Sequence, residues 1–342
     1  MSRFVTFGEV MLRLNPEGYL RFVQADRFEV SVGGGEANVA VSLANFGLDA
    51  AFVSKLPAHE LGQRVVRTLR GYGVDTRHIL RGGDRVGLYF LEKGASQRPS
   101  KVIYDRAGSA IATAAAEEFD WDGIFEGAEW FHFTGITPAL SDSMTEACLS
   151  ACKKAKEKGI FISCDLNYRK KLWSREKAGQ VMAQLMPYVD LCIANEEDAF
   201  DVFGIRASHT DIEGGKLDYD AYAQVARAIA ARFGCKKVAI TLRGSISASE
   251  NNWAGMLYDA ADDSYCLSRT YNVKIVDRVG GGDSFGAGLI YALSEGYTDA
   301  DAINFAVAAS CLKHTVEGDF NEVTAAEVKS LMQGSGSGRV QR

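Results

Sequence analysis

The sequence predicts an α/β fold: a doubly wound, mostly parallel sheet with helices on both faces, plus a small β-strand lid. Three observations carry that expectation. From Glu129 onward, apolar runs of strand length alternate with segments of helical period. Two glycine triplets, Gly33–Gly35 and Gly280–Gly282, each stand directly before a helical pattern. Between residues 81 and 110 the helical period vanishes, and two short strand-like runs flank a Gly/Ser/Pro loop.

Phe4 to Leu14 reads as a first strand, closed by the turn Asn15-Pro16-Glu17-Gly18. Phe22 to Val32 reads as a second extended segment. The first glycine triplet then opens a helix whose buried face is Ala37, Ala40, Val41 and Ala44, and Gly47 ends it. Ala51–Leu56 is a strand and Leu61–Tyr72 a helix. Val86–Glu92 and Lys101–Asp105 form a hairpin that pairs with the extended segment near residues 19–32, giving lid strands from about 14–32 and 84–108. Next come a strand at 129–135, a helix at Ser141–Lys158, a strand at 160–167 and a helix at Ser174–Met186. A strand at 190–198 leads into a short helix ending at Phe203. Tyr219–Phe233 is a helix, and the strand at 236–244 follows it. Asn251–Tyr258 and Arg269–Val276 close the sheet. Asp299–His314 and Thr324–Met332 are the last helices of one unit at 1–333, and 334–342 is a flexible tail. Such alternation implies βαβ units and a parallel sheet.

Composition excludes several classes. The 342 residues are 47% hydrophobic and 24% charged, with a net charge of −6, as in a globular protein with a large core. No basic–aromatic stripe favours nucleic acid. No apolar run is long enough for a membrane span, and the N-terminus lacks a signal-peptide pattern. Seven cysteines without a C-x-x-C pair suggest buried reduced thiols and a cytoplasmic setting. No H-E-x-x-H appears, which argues against a zinc hydrolase.

The chemistry concentrates at Val276–Leu293. Three glycines let the backbone approach a ligand closely, and a helix start aims N–H groups and a positive dipole end at one spot, which suits a phosphate. Asp283 stands at the mouth of that turn. It is either an N-cap or a base taking a proton from a hydroxyl that attacks the phosphate. Gly280, Gly282 and Gly286 also fit a loose dinucleotide fingerprint, but that motif opens a Rossmann unit, whereas here mainly helices follow. Polar residues recur after apolar strand runs: Asp165, Asn167 and Arg169; Asn195 and Asp198; Thr241, Arg243 and Gly244. Open α/β sheets bind ligands at those strand ends. Tyr89, Tyr104 and Arg106 project from the lid.

Along nearly its whole length the chain resembles the ribokinase-like (PfkB-type) carbohydrate kinases. GGGEANVAVSLANFG is similar to their first signature, DRVGGGDSFGAG to their second, and NEED at 195–198 to their N-x-x-E. GEVMLRL, GLYFLEKG, VIYDR and SCDLNYRKKLW resemble the 2-keto-3-deoxygluconate kinases within that family. The resemblance implies a base at Asp283 and an anion hole from the amides of Gly280, Gly281 and Gly282. It implies sugar contacts from Gly34, Tyr89, Tyr104, Arg106, Arg169 and Asp319. Thr241, Arg243 and Gly244 would line the nucleotide site, with Asn195 on the ATP phosphates. Asn195 and Asp198 would hold hydrated Mg²⁺, and the resemblance leaves room for a monovalent cation, K⁺. A homo-oligomer formed through the lid is a further implication.

Arg106 and Arg169 favour an acid substrate, because an Arg grips a carboxylate with two parallel hydrogen bonds. The expectation is ATP-dependent phosphorylation of a sugar acid. A neutral-sugar kinase such as a fructokinase is the alternative, and a non-catalytic sugar sensor a more distant one. Three departures stand out: Gly281 where the family usually has Ala, Arg278-Val279 where Thr-x is common, and Asp198 in place of Glu. Walker and H-R-D motifs are missing, which sets aside P-loop and protein kinases.

Overall fold

The computed structural model describes residues 3–206 and 219–334. The tail expected from residue 334 lies, Gly334 aside, outside the described residues. The first strands are β1 (Arg3–Phe7), β2 (Met11–Asn15) and β3 (Glu29–Gly33), followed by α1 (Gly35–Asn45), β4 (Asp49–Leu56) and α2 (Glu60–Gly71). Then come β5 (Ile79–Arg81), β6 (Gly87–Glu92), β7 (Lys101–Asp105), α3 (Trp121–Ile124), β8 (Ala128–Thr134) and α4 (Asp142–Glu157). The middle of the chain holds β9 (Phe161–Asp165), α5 (Arg175–Leu185), β10 (Leu191–Ala194), α6 (Glu196–Phe203) and α7 (Tyr219–Phe233). The remainder is β11 (Lys237–Ser247), β12 (Glu250–Asp259), β13 (Ser264–Leu267), β14 (Tyr271–Lys274), α8 (Gly281–Ser294), α9 (Asp299–Lys313) and α10 (Ala325–Met332).

Ten strands make the main sheet, in the order β13-β12-β11-β10-β9-β8-β1-β4-β5, with β14 also on β12. From β11 to β5 every pairing is parallel, while β12, β13 and β14 add an antiparallel edge. Side chains alternate across a strand, so each strand feeds two cores. Val5 and Phe7 face the α4, α5 and α7 side with Phe131 and Phe133. Phe4 faces α1, α8 and α9. Truncating a core Phe to Ala costs about 3–5 kcal/mol. Helix ends follow local chemistry: the Ser141 hydroxyl accepts from Met144 N at the start of α4, and Gly159 leaves its end at φ +71°.

The lid is a separate four-stranded sheet, β3-β2-β6-β7. Two differences from the sequence expectation lie here. The stretch Phe4–Leu14 is two strands in two sheets, because the chain turns at Gly8–Val10. A side chain at Gly8 would overlap the buried Glu36 carboxylate, 2.1 Å from where its Cβ would lie. An unbroken apolar run hides such a switch of sheet. The extended segment Phe22–Val32 contains a 3-10 turn at Phe22–Gln24, and only its end, as β3, joins the lid. β2, not that segment, therefore sits between β3 and β6. Strands β5 and β13 have no counterpart in the sequence reading.

Candidate active site

A cleft of about 1660 Å³ opens between the lid and the carboxyl ends of β8, β9 and β10. That exceeds the usual volume for one small ligand and leaves room for two side by side. Asp165 ends β9, beside Thr134 on β8 and Ile193 on β10, so parallel register lines up the polar residues that follow each strand.

The mouth of α8 forms one wall. Gly280 precedes the helix at φ +81°, ψ −3°, and a Cβ there would lie 2.0 Å from the Asp319 carbonyl oxygen. Only glycine fits both demands. Gly282 is exposed to the cleft, and Asp283 is half-buried beside it. The amides of Gly282 and Asp283 have no acceptor inside the helix, as at any helix start. Gly281 points inward instead: it is buried, and its N–H reaches toward Arg278 O at 3.4 Å. Its departure from the family pattern has a local cause, since a Cβ there would sit 2.6 Å from the His314 ring. Asp283 Oδ2 accepts a 2.6 Å hydrogen bond from Asn38 Nδ2, and Asn38 Oδ1 accepts from Gly34 N at 3.2 Å. Burial raises the Asp283 carboxyl to about 6, against the Asn38 bond, which favours the ionised form; nearby Asp319 adds to the rise.

The lid side carries the expected sugar contacts. Gly34 caps α1 in extended conformation. Tyr89 is buried, and its hydroxyl donates to Asp319 Oδ2 at 2.5 Å. Arg13 donates to Asp319 Oδ1 at 2.8 Å and to Asp277 Oδ2 at 2.5 Å, with no exposed surface of its own. Tyr104 is partly exposed, 6.0 Å from the Tyr89 ring. Arg106 is buried rather than exposed, since its Nε and Nη2 edge is ion-paired with Glu9. Arg169 is exposed in the cleft, its Nη1 donating to Tyr168 O at 3.0 Å. No carboxylate of the described residues lies within ion-pair distance of it.

The opposite side holds the expected nucleotide residues. Asn195 is the N-cap of α6, its Oδ1 accepting from Asp198 N at 2.8 Å. Asp198 is buried, which raises its carboxyl to about 7. Burial also pushes Asp165 well above the usual carboxylate range, helped by the charges of Asp198 and Asp283. Thr241 and Arg243 line the cleft from within β11 rather than after it, because that strand runs on to Ser247 as a hairpin with β12. Gly244 lies beyond the cleft lining, paired with Asn252. Among the described residues no three His, Cys, Asp or Glu side chains could ligate one ion directly. Asn195, Asp198 and Asp165 are hard oxygen donors of the kind that a hydrated divalent cation takes.

Four further groups escaped the sequence reading. Asn38 lay unmarked within a recognised motif. Arg13 is a lone charge in an apolar strand, which is a signal. Glu9 sits in an apolar run of the same kind. Arg278 lines the cleft with Arg243 and donates to Ala248 O at 3.0 Å.

The family model of the pfkB family carbohydrate kinases matches residues 1–325. The chain is 36% identical over 337 residues to the 2-dehydro-3-deoxygalactonokinase of Haloferax volcanii, spanning 98% of both chains. It is 28% identical over 326 residues to the 2-dehydro-3-deoxygluconokinase of Thermoproteus tenax, spanning 93% of this chain and 90% of that one. The crystal structure of the 2-dehydro-3-deoxygluconokinase of Thermotoga maritima superposes with a TM-score of 0.93 at 50% identity, over 97% of this chain and 98% of that one. No helix among the described residues is long and apolar enough to cross a membrane.

Proposed function

The chain belongs to the pfkB family carbohydrate kinases, and from that premise we propose that it phosphorylates the terminal hydroxyl of a sugar acid. The substrate proposed is 2-keto-3-deoxygluconate, also called 2-dehydro-3-deoxygluconate, giving its 6-phosphate, with ATP as donor. One observation carries the reading: the Asp283 carboxylate opens on the cleft beside the free amides of the α8 mouth.

In this reading Asp283 accepts the proton of the sugar hydroxyl. Bound Mg²⁺-ATP supplies the phosphoryl group and neutralises charge on it. Gly280, Gly282 and Asp283 offer main-chain N–H groups to charge that develops during transfer. Asn195 and Asp198, with Asp165 nearby, would hold the hydrated cation, which would supply charge neutralisation to the phosphates. Thr241, Arg243 and Arg278 face the nucleotide, with Gly244 further out. The lid, with Gly34, Tyr89, Tyr104, Arg106 and Asp319, positions the sugar and keeps water away, since a wet site would hydrolyse ATP. Arg169, exposed and without a carboxylate partner among the described residues, is the main grip for the acid group. Arg106 contributes only the guanidinium edge not turned to Glu9.

The deciding experiment is ADP release with a panel containing both C4 epimers of the sugar acid and fructose. Arg169→Ala is expected to raise KM for the acid by about tenfold and to leave fructose almost untouched. Equal losses on both substrates would remove the carboxylate reading and favour a neutral-sugar kinase. Exposed Tyr19, Leu20, Val23 and Ile103 lie in or beside the lid, which supports self-association there. Sedimentation of wild type and Val23→Asp tests that, and we place the enzyme in the cytoplasm.

A further inference from the structure

Behind the α8 mouth lies a buried cluster of charges, of which only Asp319 reaches the cleft lining while Arg13, Asp277 and Lys313 stand behind it. Asp277 leads into the glycine turn, its Oδ1 accepting from Val279 N at 3.1 Å and its Oδ2 from Gly318 N at 3.2 Å. Asp319 backs the turn from the other side, with its carbonyl against Gly280. Arg13 joins both carboxylates. Lys313, the last residue of α9, has no exposed surface. Its Nζ donates to the Val316 carbonyl at 3.2 Å, and no carboxylate of the described residues lies within ion-pair distance of it. Its stem runs directly beneath the turn: a Cβ on Gly280 would lie 3.2 Å from Lys313 Cε.

Burying an ammonium in this way is costly unless nearby charge repays it. On balance burial lowers the Lys313 pKa, and Arg13 acts the same way, while Asp277, Asp319 and Asp283 act to keep it protonated. The charge count is balanced: Arg13 and Lys313 are two cations, and Asp277 and Asp319 are two anions. Asp283, on the cleft side, adds one more negative charge, and a further cation would have to share the nest with Arg13 and Lys313, next to a turn already braced by two carboxylates.

We propose that Lys313 is a built-in cation bracing the anion turn from behind, so that phosphoryl transfer by this chain needs no monovalent metal ion. The ammonium sits where one hydrogen bond to Val316 O ties the end of α9 to the loop carrying Asp319, while its charge holds the Asp277 and Asp319 carboxylates around Gly280. Lys313 is thus a positioning residue, acting through the turn and touching neither substrate. The proposal rests on the kinase reading above and replaces the K⁺ that the sequence resemblance left room for.

The test begins with wild-type ADP release on the sugar acid, in KCl, NaCl and choline chloride at equal ionic strength. No turnover in any salt would sink the kinase reading itself, a result distinct from failure of this proposal. The expected result is the same kcat in all three. A strong fall in choline chloride overturns the proposal even if no variant can be made. Lys313→Met is expected to lose about 10²-fold in kcat with KM for the sugar nearly unchanged, the scale of a turn displaced by about an ångström. Lys313→Ala, which leaves a cavity, is expected to recover activity in ammonium or potassium chloride but not in choline chloride. Wild-type kcat in both variants overturns the proposal. So does a loss that neither small cation repairs, because it reduces Lys313 to a packing role.

Discussion

Two helices of this protein open on glycine triplets and carry an acid in their first turn, yet the two acids live in opposite circumstances. Glu36 on α1 is buried, and its Oε1 accepts from Thr134 N at 3.0 Å and from the Thr134 and Thr137 hydroxyls at 2.7 Å each. Asp283 on α8 accepts one side-chain hydrogen bond, from Asn38, and opens on the cleft. Burial raises both, Glu36 to about 7 and Asp283 to about 6. The shared motif therefore sets position, and the donors around each acid set its use. A buried carboxylate held by three donors is a post; one with a free lobe facing the cleft is open to the role of base proposed above. The two are also linked, because α1 supplies the Asn38 that aims Asp283.

The contrast breaks most sharply at Asp283 itself. Asp283→Asn keeps the shape and removes the base, so kcat is expected to fall by about 10²–10⁴ while the sugar still binds. Near-normal turnover by single-turnover kinetics would make the two acids equivalent posts. Gly280→Ala comes next. It forces a side chain into the left-handed region at φ +81° and against the Asp319 carbonyl. A loss of about 10²-fold in kcat is expected as the amides move off target. An intact kcat would mean that the turn does not hold the transferring phosphate.

The link between the helices is tested through Asn38. Asp283 acts as a base only when ionised, and its pKa in the fold is about 6. Activity is therefore expected to fall as pH drops through about 6 and to level off above it. The Asn38 bond favours the ionised form, so Asn38→Ala should move that limb to higher pH. A further loss of about tenfold at the plateau matches one hydrogen bond to a charged group. An unshifted pH limb would assign the acidic limb to another group, with Asp198 the first to examine.

Much of the main sheet was legible because parallel strands buried on both faces read as apolar runs, and helices such as Asp142–Glu157 carry their own caps. Asp165 and Asn195 could be aligned in advance because parallel register has one direction. The lid was harder. Nothing in FVTFGEVMLRL marks where the chain leaves one sheet for another, since both sheets ask for the same alternation. The nest behind Gly280 was harder still. Arg13, Asp277, Lys313 and Asp319 lie as much as 306 residues apart and meet only after folding. The pairing of Arg106 with Glu9 was hidden for the same reason: charge on a lid strand looks solvated until its partner is found.

The smallest effect expected separates the two acids by stability rather than by rate. Glu36 titrates near 7 in the fold against an ordinary 4.5, chiefly through burial, which outweighs its hydroxyl and amide donors. Between those values the folded state holds more protons than the unfolded state, so stability falls as pH rises through that window. Below 4.5 the contribution is fully present, and above about 7 it is gone. Holding one extra proton changes stability by roughly 1.4 kcal/mol for each step of one in pH, so the whole window amounts to about 3 kcal/mol. Glu36→Gln keeps an oxygen for Thr134 and Thr137 and cannot ionise. Its melting temperature should therefore decline less than that of wild type between pH 5 and 8, with Asp165 and Asp198 supplying the remaining slope. Parallel melting curves for the two proteins would mean that Glu36 is ionised throughout. The three donors would then outweigh burial, and the post would be a charged one.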